Sequence, residues 1–82
     1  MLILSPAQCK AARGLASMTQ PQLASAADLG LSTIVDFERG RRQVSPEAIS
    51  AIRQALESAG VEFVDAGRYS GDGGPGVRLK KG

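Results

Sequence analysis

The sequence contains no histidine and no tryptophan, and only one cysteine, one tyrosine and two phenylalanines. Without histidine the chain lacks the commonest general base, the commonest metal ligand and any Ser–His or Cys–His nucleophile pair. A single cysteine closes no internal disulfide and supplies too few ligands for a structural zinc site. These absences argue against an enzyme, and we predict a non-catalytic domain with no cofactor and no metal.

Long apolar runs are also missing. No stretch approaches the roughly 20 apolar residues that a membrane-spanning helix needs. The opening Met1–Leu4 is too short for the apolar part of a signal peptide and has no basic residue before it. We therefore expect a cytoplasmic protein that makes no use of a membrane.

The chain length of 82 residues is typical of one small domain. A chain of this size buries only about 60% of the surface that it exposes when unfolded. Its core is therefore small, and association with a second copy is a common way for such a domain to gain stability.

Basic residues are concentrated in the first half of the chain. Residues 1–44 hold five Lys or Arg against three Asp or Glu, whereas residues 45–82 hold five against five. Arg39, Arg41 and Arg42 lie within four residues, beside Gly40. A basic cluster beside a glycine suits contact with phosphates, although a cluster this short is more often a solvated loop.

Start and stop signals for helices recur along the first 60 residues. Ser5-Pro6 and Ser45-Pro46 each combine a capping residue with a proline in the first turn. Gly40 and Gly60 are suited to follow a last turn. With the spacing of apolar residues, these signals predict four helices, at about Pro6 to Leu15, Gln20 to Ala27, Leu31 to Arg39 and Pro46 to Ala59.

The last 22 residues have a different character. Val61–Val64 is rich in β-forming residues, and Gly76–Leu79 alternates apolar with polar ones. Seven of the ten glycines lie from Gly60 onward, most of them in the loop 65–75. The fold class predicted is mainly α, with four helices followed by a C-terminal β-hairpin or strand pair and a solvated tail at 80–82.

The second and third predicted helices are joined by the short turn Asp28-Leu29-Gly30, which is the spacing of a helix-turn-helix. The most specific stretch is Gln20-x-x-Leu23-Ala24 followed by Ser32-Thr33-Ile34-Val35-Asp36-Phe37-Glu38-Arg39-Gly40. It resembles the lambda-repressor-like (XRE, Cro/C1-type) family of helix-turn-helix transcriptional regulators over about residues 5–60.

This resemblance implies a bacterial, sequence-specific regulator of transcription, with double-stranded DNA as its partner. It also implies a repressor that binds a pseudo-palindromic operator as a homodimer. Residues 1–60 would form the four-helix DNA-binding domain. The strands in the β segment 61–82 expose edges, and strand pairing through them is the candidate for contact between two copies. The departures from the family pattern are Asp28, where the turn usually has a glycine, and Gly30, where the next helix usually has a Ser or Thr cap.

The family match assigns DNA contacts to nine residues. They are Gln20, Leu31, Ser32, Thr33, Val35, Asp36, Arg39, Arg41 and Arg42.

Gln20, Thr33 and the three arginines would bind phosphates. Leu31 or Val35 would touch a thymine methyl, Ser32 a base edge or phosphate, and Asp36 a cytosine amino group. For four of these an alternative stays open: Gln20 as a surface residue, Leu31 packed on its own domain, Thr33 as a first-turn residue without a DNA contact, and Asp36 orienting a neighbouring arginine.

Arg13 and Glu38 have a structural role in the family resemblance, as an ion pair that fixes the third helix against the first.

The remaining alternative concerns the binding partners of the protein. The C-terminal segment could bind a cognate protein, as in the antitoxin half of a toxin–antitoxin pair, while the first half binds DNA.

Overall fold

The computed structural model describes residues 4–41, 43–64 and 76–79, with the backbone alone at Val64. Its elements, in chain order, are α1 (Pro6–Ala16), α2 (Gln20–Ala27), α3 (Leu31–Glu38), α4 (Pro46–Ser58), β1 (Val61–Val64) and β2 (Gly76–Leu79).

The predicted fold class is confirmed. Three helix ends differ from the predicted ones by a single residue. Helix α1 ends at Ala16, α3 at Glu38 and α4 at Ser58. The glycine-rich loop 65–75 and the tail 80–82 lie outside the described residues.

Local side-chain caps explain where three of the helices begin. At the start of α4, Ser45 Oγ accepts from the backbone N–H of Ala48. Ser5 Oγ accepts from the backbone N–H of Gln8, and the Gln8 side chain accepts in return from the Ser5 N–H. Thr19 and Gln22 repeat this reciprocal pair at the start of α2. Such caps satisfy first-turn N–H groups that have no partner inside the helix. The starts of these helices are therefore encoded locally.

The turn between α2 and α3 accommodates both departures from the family pattern. Asp28 adopts a left-handed conformation with φ 57°, and its N–H bonds back to the carbonyls of Ala24 and Ser25. Gly30 is the N-cap of α3 and provides no side-chain hydrogen bond. The Gly30 carbonyl still accepts from the Thr33 N–H at 3.1 Å. As a result α3 begins at Leu31, as predicted.

One core joins the helices to the hairpin. Its largest fully buried side chains come from α1, α2, α3, α4 and β1, and they are Cys9, Leu23, Ile34, Ile52, Leu56 and Val61. Helix α2 packs against both α3 and α4, and α1 packs against the same two helices.

The two strands form an antiparallel pair in which Val61 lies opposite Leu79 and Phe63 opposite Val77. The β1 strand packs on α4, and β2 packs on α1. Gln8 ties the second strand to α1 through Nε2, which donates to the Gly76 carbonyl at 3.3 Å. The hairpin is therefore part of the domain core and not an appended arm.

Candidate nucleic-acid interface

The third helix has one buried face and one open face. Ile34 and Phe37 point into the core. The predicted base-reading residues lie on the other face, with Leu31 and Ser32 exposed and Val35 and Asp36 half-buried. This division follows from the helical repeat, since residues three or four apart share a face. The structure thus brings the four base-reading candidates together on one surface.

Leu31 is the most informative of these residues. It is 46% exposed, one of three large apolar side chains that the described part of the chain leaves open. A leucine packed on its own domain would be mostly covered, so nearly half of this side chain is available to a partner.

The basic residues near α3 come directly after the helix in the chain, and none lies within it. The helix sequence from Leu31 to Glu38 contains no Lys or Arg. Arg39 and Arg41 are exposed at its end, on either side of Gly40, whose φ of 69° turns the chain away from the helix. Arg42, predicted as a third phosphate contact, lies outside the described residues.

Glu38, the last residue of α3, is the centre of a buried polar cluster. We call Cys9, Arg13, Gln20 and Glu38 the Glu38 cluster. The Glu38 side chain is 1% exposed. Its Oε2 accepts from Arg13 Nε at 2.6 Å and from Cys9 Sγ at 3.1 Å. Its Oε1 accepts from Arg13 Nη2 at 2.8 Å and from Gln20 Nε2 at 3.0 Å.

The structure therefore contains the predicted Arg13–Glu38 pair, as a bidentate one. Arg13 also donates through Nη1 to the Met18 carbonyl at 3.1 Å, which ties the α1–α2 turn to the same guanidinium. Three helices thus meet at one carboxylate, and this fixes α3 relative to α1 and α2.

The electrostatics of the cluster favour a charged Glu38 and a neutral Cys9. Burial by itself would raise the pKa of Glu38, but hydrogen bonds from Arg13, Cys9 and Gln20 outweigh it and lower the pKa below its ordinary value. Burial raises the pKa of the Cys9 thiol far above its ordinary range, and the bond to Glu38 adds to this. Cys9 is therefore a permanent donor to the carboxylate.

The sequence did not predict that Cys9 and Gln20 bond to Glu38. The spacing of Cys9 and Arg13, four residues apart in α1, is a signal that both reach the same neighbour. Gln20 has no such signal, because only the packing of α2 against α3 brings it to Glu38.

A family model described as Helix-turn-helix matches residues 10–63, about two thirds of the chain. The matched stretch runs from within α1 into β1 and contains the turn between α2 and α3, the whole of α3 and most of the Glu38 cluster. The chain belongs to the lambda-repressor-like (XRE) helix-turn-helix family.

Family membership makes the chain a DNA-binding helix-turn-helix regulator, of a class that is generally not enzymatic. No curated protein matches the chain significantly. Within the described residues, no helix has the length and apolar content to cross a bilayer.

Proposed function

We propose that this protein is a sequence-specific repressor of transcription that binds a pseudo-palindromic operator as a homodimer, with α3 in the major groove. The observation that carries the proposal is the open face of α3, on which Leu31, Ser32, Val35 and Asp36 lie together. A helix of this width fits the major groove, where base edges are distinguishable.

The residues of α3 restrict what the helix can read. It contains no Arg, Lys, Asn or Gln, the side chains that make bidentate contacts with guanine or adenine. Leu31 and Val35 instead offer apolar contact to thymine methyl groups. Asp36 accepts from an amino group, such as cytosine N4, and Ser32 can bond either a base edge or a phosphate. We therefore expect an operator in which thymine faces Leu31.

Affinity comes from the phosphate contacts around this helix. Arg39 and Arg41 are exposed directly after α3, and Thr33 and Gln20 lie near the starts of α3 and α2. Together with Arg42, these residues would anchor the domain on the backbone of the duplex and set the register of the helix in the groove.

The test is selection from random DNA followed by substitution of single bases. We expect two half-sites about 10 base pairs apart from centre to centre. Replacing the thymine opposite Leu31 by uracil removes only its methyl group and should weaken the wild type several-fold. The variant Leu31→Ala should bind the two DNAs equally. Failure of the wild type to select any sequence would refute the proposed function.

The hairpin is the proposed dimer contact. A two-stranded sheet has an outer edge on each strand, and such edges pair readily with another strand. Leu79 on β2 is 51% exposed and would be covered in a dimer. Sedimentation at tens of micromolar should give the mass of two chains. A cognate partner protein bound by the segment 61–82, the antitoxin alternative, would instead co-purify with the chain and give a hetero-complex.

A further inference from the structure

Asp36 places a negative charge on the surface of α3 that would face DNA. The residue is half-buried, and among the residues that the structure describes none donates a hydrogen bond to its carboxylate or pairs with its charge. Arg39, three residues further on, is exposed and does not pair with it. Contacts within the described part of the chain therefore give no reason for an acid here. Its repulsion of DNA phosphates has to be offset by a donor on the DNA.

The helical repeat places Val35 and Asp36 on either side of Ser32. Successive residues of a helix are about 100° apart around its axis. Ser32 therefore lies nearly opposite the buried Ile34 and Phe37, at the centre of the open face. Val35 and Asp36, both half-buried, flank it one turn further along the helix. An apolar and an acidic side chain thus border one strip of surface in the middle of α3.

Few base edges in the major groove match this pair of side chains. A carboxylate only accepts hydrogen bonds, so Asp36 requires an amino group, which cytosine presents at N4 and adenine at N6. Beside the adenine amino group lies N7, an acceptor that repels a carboxylate. Beside the cytosine amino group lies the carbon C5, which an apolar side chain can contact. The pair of Val35 and Asp36 therefore favours cytosine over adenine.

A methyl group on that C5 atom improves the match. It adds apolar surface for Val35 to cover and leaves the amino group for Asp36. Thymine carries the same methyl group, but beside it lies O4, an acceptor that cannot donate to Asp36.

We propose that α3 recognises 5-methylcytosine in preference to both cytosine and thymine at one position of each half-site, with Val35 on the methyl group and Asp36 on the amino group. Among these three pyrimidines, only 5-methylcytosine presents a methyl and an amino group side by side. Methylation of the operator at this cytosine then strengthens binding. This inference rests on the proposed function and is separate from the thymine contact of Leu31.

The first experiment finds the base that Asp36 contacts. Selection from unmodified random DNA is carried out with the wild type and with Asp36→Asn, whose amide has a similar shape but both donates and accepts. One position per half-site should be cytosine for the wild type and lose this preference in the variant. Asp28→Asn removes the same charge from the exposed turn before α3, and as the matched control it should select the wild-type sequence. An unchanged preference in Asp36→Asn would overturn the inference.

The second experiment changes only the base at that position. The wild type should bind 5-methylcytosine roughly 4-fold more tightly than cytosine per half-site, the equivalent of burying one methyl group. Thymine should bind roughly 10-fold more weakly than 5-methylcytosine, because it offers no hydrogen bond to the charged Asp36. Equal affinity for cytosine and 5-methylcytosine, or tighter binding of cytosine, contradicts the proposed preference.

The third experiment assigns the methyl contact to its side chain. Val35→Ala should bind cytosine and 5-methylcytosine equally and still discriminate against thymine. Leu31→Ala shortens the neighbouring apolar side chain, and as the control it should keep the 4-fold ratio. Each ratio compares two DNAs with one protein, so a loss of stability in the variant does not affect it. If the wild type selects an operator but Val35→Ala retains the methyl preference, the inference fails and the proposed function stands.

Discussion

At the scale of single residues, Glu38 is the side chain of α3 to which both α1 and α2 are hydrogen-bonded. A buried carboxylate is tolerated only when its charge and its acceptor positions are matched. Arg13 supplies the charge, and Cys9 and Gln20 supply the remaining donors. The cluster selects one arrangement of α1, α2 and α3, since any other leaves an unpaired charge in the core.

The pH dependence of stability should report this carboxylate. Its folded pKa lies below the ordinary value, so its contribution is complete above the unfolded pKa of about 4.3 and is lost as the pH falls through the folded pKa. Chemical shifts of the Glu38 side chain, followed from pH 6 to pH 2.5, should give a midpoint below about 4.3, the ordinary pKa of a glutamate. A midpoint at or above that ordinary pKa would show that the donors do not outweigh burial.

The donor role of Cys9 predicts a difference between two small substitutions. Cys9→Ala removes the hydrogen bond to a buried charge and should lower the free energy of unfolding by about 1.5–3 kcal/mol. Cys9→Ser keeps a hydroxyl that can donate to Glu38 and should cost less. Urea denaturation of the two variants measures this, and equal losses would mean that the thiol acts by packing alone.

At the scale of elements, each helix carries local signals that set its ends and local weaknesses that its packing overcomes. Helix α1 has a glycine in its interior, at Gly14, and α3 starts without a side-chain cap. Eight residues are too few for an isolated helix in water, so α2 and α3 depend on the core that they share.

Gly14→Ala should therefore stabilise the protein. Gly14 is exposed in the helix, and a Cβ built there has no atom within 4 Å. Alanine is favoured over glycine inside a helix by about 1 kcal/mol, and unfolding in urea should show a gain of this size. The matched control is Gly40→Ala, also in open space but at φ 69°, where a side chain is strained and stability should fall. A loss at both positions would contradict the explanation.

At the scale of the whole molecule, the exposed positive charges beside α3 follow this helix in the chain and are not part of it. Exposed Arg39 and Arg41 follow α3, while its own acidic Glu38 is buried and neutralised by Arg13. Burying that carboxylate removes a negative charge from the surface that would face phosphates.

The salt dependence of DNA binding should reflect these contacts. With about six phosphate contacts per dimer, the logarithm of affinity should fall with a slope of roughly −5 against the logarithm of salt concentration. Arg41→Ala removes about one contact per protomer and should make the slope shallower by about 2 for all sequences alike. Titrations at several salt concentrations test this. A change in sequence preference with an unchanged slope would instead make Arg41 a base reader.

The sequence predicts the ends of the helices more completely than it predicts the contacts of the site. Ser5, Thr19 and Ser45 mark helix starts, and Gly40 and Gly60 mark ends, because caps and positive φ angles act within a few residues. The Arg13–Glu38 pair was predicted only through the family resemblance. The bond from Gln20 to Glu38 was not predicted, since the two residues are 18 positions apart and no pattern of spacing joins them.

The amino-acid order by itself determined the four helices, the strand pair and the outward set on α3, since these depend on local caps and on the period of apolar residues. Only the tertiary structure decided that Cys9, Arg13 and Gln20 converge on Glu38, and that Leu31 stays half open. Those facts depend on how three helices pack, and packing is settled by the shapes and unpaired polar groups of residues far apart in the chain.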